Sequence, residues 1–259
     1  MWKKCIAFII VASIWFFPSQ VFADGWGFSK KNDGSVPDVG RYGPLIEKYD
    51  SFYVDPSGDK VVYLTFDNGY EQGYTGQVLD ILKEKGVPAT FFVTGHYIES
   101  APDLLKRMAK EGHLIGNHSW SHPDFTKVSK KKMEKELDRV NTAVRELTDQ
   151  EVMTFMRPPR GTFNEKTLEW AKEFGYTHAF WSLAFVDWET DKQQGWEYAY
   201  ESVIDQIHPG AVILLHTVSQ DNAEALSQLI DELNKRGYRF GSLNDLMIKQ
   251  MVPAPIWGL

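Results

Sequence analysis

Short apolar runs alternate with amphipathic helical stretches along most of this chain, and each run has the length of a buried strand. KVVYLTF (60–66), PATFFV (88–93), HLIGN (113–117), residues 153–156, THAFWSLAF (177–185), AVILLHT (211–217) and YRFGSL (238–243) read as strands. Between them, Tyr74, Val78, Ile81 and Leu82 share one helical face over 72–85, and Leu104, Leu105 and Met108 mark the next helix. Met133, Leu137, Val140, Val144 and Leu147 step by fours and threes, the spacing of an amphipathic helix. Further helices are predicted over 168–174, 196–207 and 222–235. Strand, helix, strand is the βαβ unit, so parallel pairing is expected. About seven such alternations, without a linker or a repeat, make one α/β domain over 58–245.

Two architectures fit this order. An open doubly wound sheet collects its ligands at one switch point, whereas a barrel gathers side chains from the ends of many strands. Here polar residues stand at the C-terminal ends of separate predicted strands: Asp67, Asn117 with His118, Arg157, Asp187 and His216. That spread predicts a distorted (β/α) barrel with about seven parallel strands.

The flanks carry other information. Lys3 and Lys4 precede CIAFIIVASIWFF, and small residues close the segment at Val21–Ala23. This is the order of a secretory leader, residues 1–23, cleaved after Ala23. The alternative is a retained anchor, but an apolar stretch of 13 residues before Pro18 is shorter than the roughly 20 that span a bilayer. Cleavage removes Lys3, Lys4 and the only cysteine, Cys5, so the formal charge deepens from −7 to −9. An exported acidic chain without a thiol excludes a disulfide scaffold and a cysteine nucleophile. It also argues against nucleic acid as a partner. Residues 24–57, rich in Gly, Asp, Ser and Pro and anchored by Trp26 and Phe28, read as an arm laid over the domain; 246–259 reads as a tail.

His118 and His122 lie in NHSWSHP, and a spacing of four puts two imidazoles on one side of a helical turn. Alone, the pair reads more readily as packed or surface histidines than as a metal site. A third histidine, His216, ends the most apolar strand, where a polar group is costly unless it is hydrogen-bonded or functional. Two imidazoles plus an oxygen ligand leave an open coordination position, as in catalytic metal sites. Asp67 would then take a proton from water and His216 would protonate a leaving group. Arg157 can fork onto a carboxylate, and Asp187 can fix the tautomer of His216. A rigid polar turn and a helix cap are the plain alternatives for these last two.

TFDNGY, HSWSHP, RPPRG, the Asp187–Trp188 pair and LLHT follow the order and spacing of the polysaccharide deacetylases, the NodB-homology group or carbohydrate esterase family 4. The resemblance spans about 58–245. It implies a distorted barrel and metal-assisted hydrolysis of an N-acetyl group on an amino sugar. By this resemblance Asp67 is the general base, His216 the general acid, Arg157 the partner of the base and Asp187 the support of the acid. His118 and His122 are the implied metal histidines, completed at position 68, where the family usually has aspartate and this chain has Asn68. Arg160 stands where an aromatic is usual, and Arg160, Pro159 and Trp188 are the expected substrate contacts. TFDNGYE and HTVSQDNAE resemble a narrower branch, the muramic acid deacetylases of spore-forming bacilli. That branch implies peptidoglycan glycan strands with peptide-free N-acetylmuramic acid as substrate, muramic δ-lactam as the outcome, and the cell wall or spore cortex as the location.

Arg160 carries a guanidinium that would match the lactyl carboxylate of such a sugar, and its backbone N–H would help hold an oxyanion. Asn68 offers a neutral oxygen, so the expected cofactor is a weakly bound divalent cation: zinc, magnesium, manganese or cobalt. A monomer without a stable protein partner is expected. The rival readings are a silent glycan-binding module, a deacetylase of chitooligosaccharide or xylan, and a metallopeptidase or coat protein. The absence of H-E-x-x-H argues against the peptidase.

Overall fold

The computed structural model describes residues 24–251; the predicted leader and the last eight residues of the predicted tail lie outside them. Nine strands alternate with nine α-helices among these residues. The strands are β1 (Asp24–Gly25), β2 (Val61–Asn68), β3 (Ala89–Val93), β4 (Leu114–Asn117), β5 (Phe155–Met156), β6 (Thr162–Phe163), β7 (Thr177–His178), β8 (Val212–His216) and β9 (Arg239–Phe240). The helices are α1 (Tyr42–Lys48), α2 (Thr75–Lys85), α3 (Gly95–Ser100), α4 (Pro102–Lys110), α5 (Lys130–Leu147), α6 (Glu165–Glu173), α7 (Trp196–Ile204), α8 (Gln220–Lys235) and α9 (Leu243–Met251).

A parallel sheet runs in the order β7-β5-β4-β3-β2-β8, with β9 pairing the start of β2. Its strands are apolar on both faces because each face is covered, one by helices and one by the barrel interior. Val62, Leu64 and Phe66 of β2 pack outward with helix residues such as Leu79, Leu82 and Leu229. Tyr63 faces inward with Phe92, Phe155, Ala179 and Val212. Curling brings the two edges together, but no continuous ladder joins β7 to β8. The gap is spanned by the segment after β7, through a single parallel bridge from Leu183 to Ile213.

This corrects the long strand predicted at 177–185. Only Thr177–His178 forms a ladder, because the chain must then leave one edge and cross to the other. Its backbone bonds change partner along the way, Ala179 N–H to Met156 O, Phe180 N–H to Phe52 O and Ser182 N–H to Val212 O. The sequence reading also missed two outer helices. α1 lies inside the predicted arm and buries Ile46. α9 occupies the start of the predicted tail and buries Leu243 and Leu246. Among the described residues no helix is long and apolar enough to cross a membrane.

Candidate active site

Parallel register places the central pair. Asp67 on β2 is the direct partner of His216 on β8, so both leave the C-terminal edge of adjacent strands on the same side. They line a cavity of about 470 Å³ with Gly69, Tyr70, His118, His122, Arg160, Gly161, Trp181, Trp188, Leu214 and Val218. A volume of this order suits one sugar-sized ligand.

Asp67 is buried, and its Oδ1 accepts 2.8 Å from Arg157 Nη1. The expected two-pronged grip on Asp67 does not form. The other guanidinium donors are split, Nη2 to Thr65 Oγ1 at 2.9 Å and Nε to the Ala179 carbonyl at 2.9 Å. Arg157 is fully buried over the Phe92 ring, 4.2 Å from its centre, so its cation is fixed by hydrogen bonds from three directions. Burial alone would push the Asp67 carboxyl up; the Arg157 cation, then His118 and His216, reverse this and hold it below the usual carboxylate range.

His216 is held by a second carboxylate. Its Nδ1 lies 2.7 Å from Asp187 Oδ1, and its backbone N–H donates to Asp187 Oδ2 at 2.8 Å. Nδ1 therefore carries a proton for Asp187, and Nε2 is left for the cavity. Burial pulls the imidazole down, but Asp187, and more distantly Asp67, outweigh it and raise its pKa above the ordinary value. Asp187 is not at the end of a strand, as the sequence reading placed it, but in the irregular crossing segment beyond β7. The sequence reading missed buried Asn222, whose Nδ2 donates to Asp187 Oδ2 at 2.5 Å and to the His216 carbonyl at 3.2 Å. The only signal for it was its place in SQDN at a helix start.

His118 and His122 do meet, with Nε2 atoms 3.2 Å apart. The predicted helical turn does not exist. The residues lie in a loop after β4, where Ser119 (φ 68°) and His122 (φ 55°) take the left-handed conformation. Several ties hold this strained backbone. Asn117 Oδ1 accepts from Ser119 N–H, Ser119 Oγ accepts from His122 N–H, and buried Glu136 of α5 accepts from both Ser121 N–H and its hydroxyl. Trp120 packs over Gly95, where any Cβ would meet the indole at 2.3 Å.

His118 Nδ1 is 2.9 Å from the Arg157 carbonyl, which accepts its proton and leaves the Nε2 lone pair exposed. Nε2 is also 3.6 Å from Asp67 Oδ2. Burial lowers both imidazoles, His122 to about 4, so both are neutral at ordinary pH, the form that ligates metals. Asn68 does not line the cavity. Its Nδ2 donates 2.7 Å to Thr217 Oγ1, and its Oδ1 is buried without a hydrogen-bond partner. Among the described residues no group of three or more His, Cys, Asp or Glu is placed to hold an ion. What could meet a cation in the cavity is a pair of neutral imidazoles, with the Asn68 amide oxygen behind them at the end of β2, two strands away from β4, a sparse donor set.

Of the expected substrate contacts, Arg160 and Trp188 line the cavity, whereas Pro159 is buried and does not. The Arg160 backbone is left-handed (φ 59°). Trp188 is 48% exposed and meets the His216 ring edge-on at 5.5 Å. Tyr70, 38% exposed in the same cavity, was not anticipated; an exposed aromatic in a loop carries no periodic signal.

The family model for polysaccharide deacetylases matches residues 55–179. The Bacillus subtilis peptidoglycan-N-acetylmuramic acid deacetylase PdaA is 51% identical over 231 residues, covering 89% of this chain and 88% of that protein. A Bacillus cereus peptidoglycan-N-acetylglucosamine deacetylase is 35% identical over 212 residues, covering 80% and 76%. The solved structure of Bacillus subtilis PdaA, a family 4 carbohydrate esterase, superposes with a TM-score of 0.87 at 50% identity and covers 90% of this chain and 100% of that one. The curled parallel sheet with its C-terminal-edge cavity is thus the architecture of a known group, and this chain belongs to the polysaccharide deacetylase family, carbohydrate esterase family 4.

Proposed function

We propose that this protein removes the N-acetyl group from peptide-free N-acetylmuramic acid in peptidoglycan, the step that leads to muramic δ-lactam in spore cortex. One observation carries the chemistry. Asp67 and His216 face the same cavity as register partners, and each contacts its own buried counter-ion, Arg157 or Asp187, which favours an ionised Asp67 and a protonated His216. Two titratable groups pushed in opposite directions are what a base and an acid need to act together.

Asp67, ionised, takes a proton from the attacking water, and the water oxygen bonds to the acetyl carbon. His216, protonated, gives a proton to the amide nitrogen as the C–N bond breaks. Acetate and a free amine leave. His118, His122 and Asn68 would hold a divalent cation, which when bound polarises the acetyl carbonyl and the water. Tyr70 and Trp188 offer faces on which a sugar ring can stack. The Arg160 backbone N–H would serve as an oxyanion donor in this reading.

The choice of sugar rests on Arg160. Among the described residues its side chain makes no hydrogen bond and no ion pair, yet it lines the cavity. A free guanidinium at the mouth of a glycan site matches the lactyl carboxylate of a peptide-free muramic residue, which N-acetylglucosamine lacks. The leader predicted over residues 1–23 agrees with a substrate outside the cell. The test is acetate release from amidase-treated peptidoglycan and from chitin fragments, with and without added divalent metal. Release from the first, weakened selectively by Arg160→Ala, is expected. Equal turnover of both by wild type and variant would refute the substrate assignment, and no release with any metal would favour a binding module.

A further inference from the structure

Among the described residues the Arg160 side chain has no partner to place it, so its position is set by its backbone, and that backbone is left-handed. A left-handed non-glycine residue is unfavourable and persists only where its surroundings impose it. Part of what imposes it comes from the far end of the chain. β1 pairs antiparallel with β6, Asp24 opposite Phe163 and Gly25 opposite Thr162. The next residue, Trp26, makes two bonds to the cavity wall. Its backbone N–H donates to the Gly161 carbonyl at 2.8 Å, and its indole Nε1–H donates to the Trp181 carbonyl at 2.9 Å.

Gly161 and Trp181 both line the cavity, on separate segments that meet there. Trp26 is the cross-tie between them. Its ring stacks on Phe180 with centres 4.5 Å apart and packs against Tyr53 at 5.5 Å, which fixes the direction of its indole N–H. The fit leaves no slack. A Cβ at Gly161 (φ +64°) would meet the Trp181 ring at 2.8 Å and the Trp26 Cβ at 3.3 Å. The loop carrying Arg160 is therefore threaded between two tryptophans, one from the arm and one from the crossing segment.

We infer that Trp26 is a positioning residue for substrate recognition: the N-terminal arm, through this tie, sets where the Arg160 guanidinium stands. The carboxylate-reading part rests on the substrate assignment above. The tie lies three residues beyond the predicted cleavage point at Ala23.

The experiment uses the chain from Asp24 onward with Trp26→Phe, which keeps an aromatic ring but loses the indole N–H and part of the ring's bulk, and Trp26→Ala, beside Arg160→Ala and the double variant Trp26→Ala/Arg160→Ala. Hydrogen-exchange mass spectrometry reads the loop directly, and kinetics on peptide-free glycan and chitin fragments read selectivity. Expected are faster exchange confined to residues 157–163 and the crossing segment, and a KM for peptide-free glycan raised about fivefold or more with kcat within about twofold. The double variant should be no less selective than Arg160→Ala alone. Unchanged exchange at 157–163 in both Trp26 variants overturns the inference, as does full wild-type selectivity with faster exchange. If Arg160→Ala itself leaves selectivity intact, the substrate assignment fails, and exchange alone decides whether Trp26 holds the loop.

Discussion

Arg157→Met removes the cation that keeps Asp67 ionised while filling much of the same space. Four acceptors lose their donor: Asp67 Oδ1, Thr65 Oγ1, the Ala179 carbonyl and, more loosely, the Phe180 carbonyl at 3.4 Å. Breaking a fully buried ion pair from one side costs about 3–5 kcal/mol, and in a chain of this size each kcal/mol moves Tm by about 2–4 °C, so the fall is roughly 6–20 °C. The loss should depend on pH. In wild type the folded-state pKa of Asp67 is depressed, so its contribution is present above the unfolded-state value and is lost as pH falls through the folded one. In the variant, burial without Arg157 raises the folded-state pKa, so stability is instead lost as pH rises above the unfolded-state value of about 4. Both effects widen the gap between the two proteins with increasing pH. Calorimetric scans of both between pH 4 and pH 8 measure it. A gap that is constant across this range, or below about 1 kcal/mol throughout, would refute the argument that Arg157 acts through the charge on Asp67.

Asp187→Asn removes the charge that lifts His216, so the basic limb of the kcat/KM profile should move to lower pH with a loss of ~10²–10⁴ in kcat; an unmoved limb would show that Asp187 does not set the acid's pKa. Asn68→Asp should tighten divalent metal binding roughly tenfold by titration calorimetry, about 1.4 kcal/mol, and equal affinities would mean that the Asn68 oxygen does not meet the ion. Glu136→Gln replaces an acceptor of the Ser121 N–H and hydroxyl by a group that must turn an NH₂ toward one of them. It should cost about 1–3 kcal/mol in stability and 10–100-fold in metal affinity, measured by thermal scan and calorimetry, with wild-type values for both counting against a role in holding the histidine loop.

The barrel was legible because buried parallel strands write themselves as unbroken apolar runs, and β2, β3 and β8 stand within a residue or two of where those runs lie. What ends such a strand in a polar group is also visible, which is how Asp67 and His216 were found. The crossing segment was misread for the same reason. THAFWSLAF is as apolar as a strand, but its backbone is shared among Met156, Phe52 and Val212 rather than one neighbour, and sequence does not record which partner a carbonyl finds. α1 was hidden by the Gly and Pro around it, and α9 by lying beyond the alternation that defined the domain. The histidine pair was read correctly as a pair and wrongly as a helix. Left-handed Ser119 and His122 leave no compositional mark, since the residues that impose their conformation, Asn117 and Glu136, act from a strand end and a helix.

Positions 67 and 68 show how far the period of two carries function. Asp67 leaves β2 on the inward side with Tyr63 and Thr65, where Arg157 and His216 await it. Asn68 leaves on the other side and anchors to Thr217, the residue after His216 on β8. Its Nδ2 thus joins the two strand ends that carry the proposed base and acid, while its Oδ1 meets no hydrogen-bond donor among the described residues. An aspartate has no Nδ2, so it would have to accept from Thr217 with one oxygen and leave a full charge on a buried atom unless an ion met it. Asparagine leaves no buried charge at this strand end, and under the proposed metal site its neutral oxygen would grip an ion more weakly than a carboxylate. Equal metal affinity in wild type and Asn68→Asp would leave the amide only this structural part, the tie from Nδ2 to Thr217.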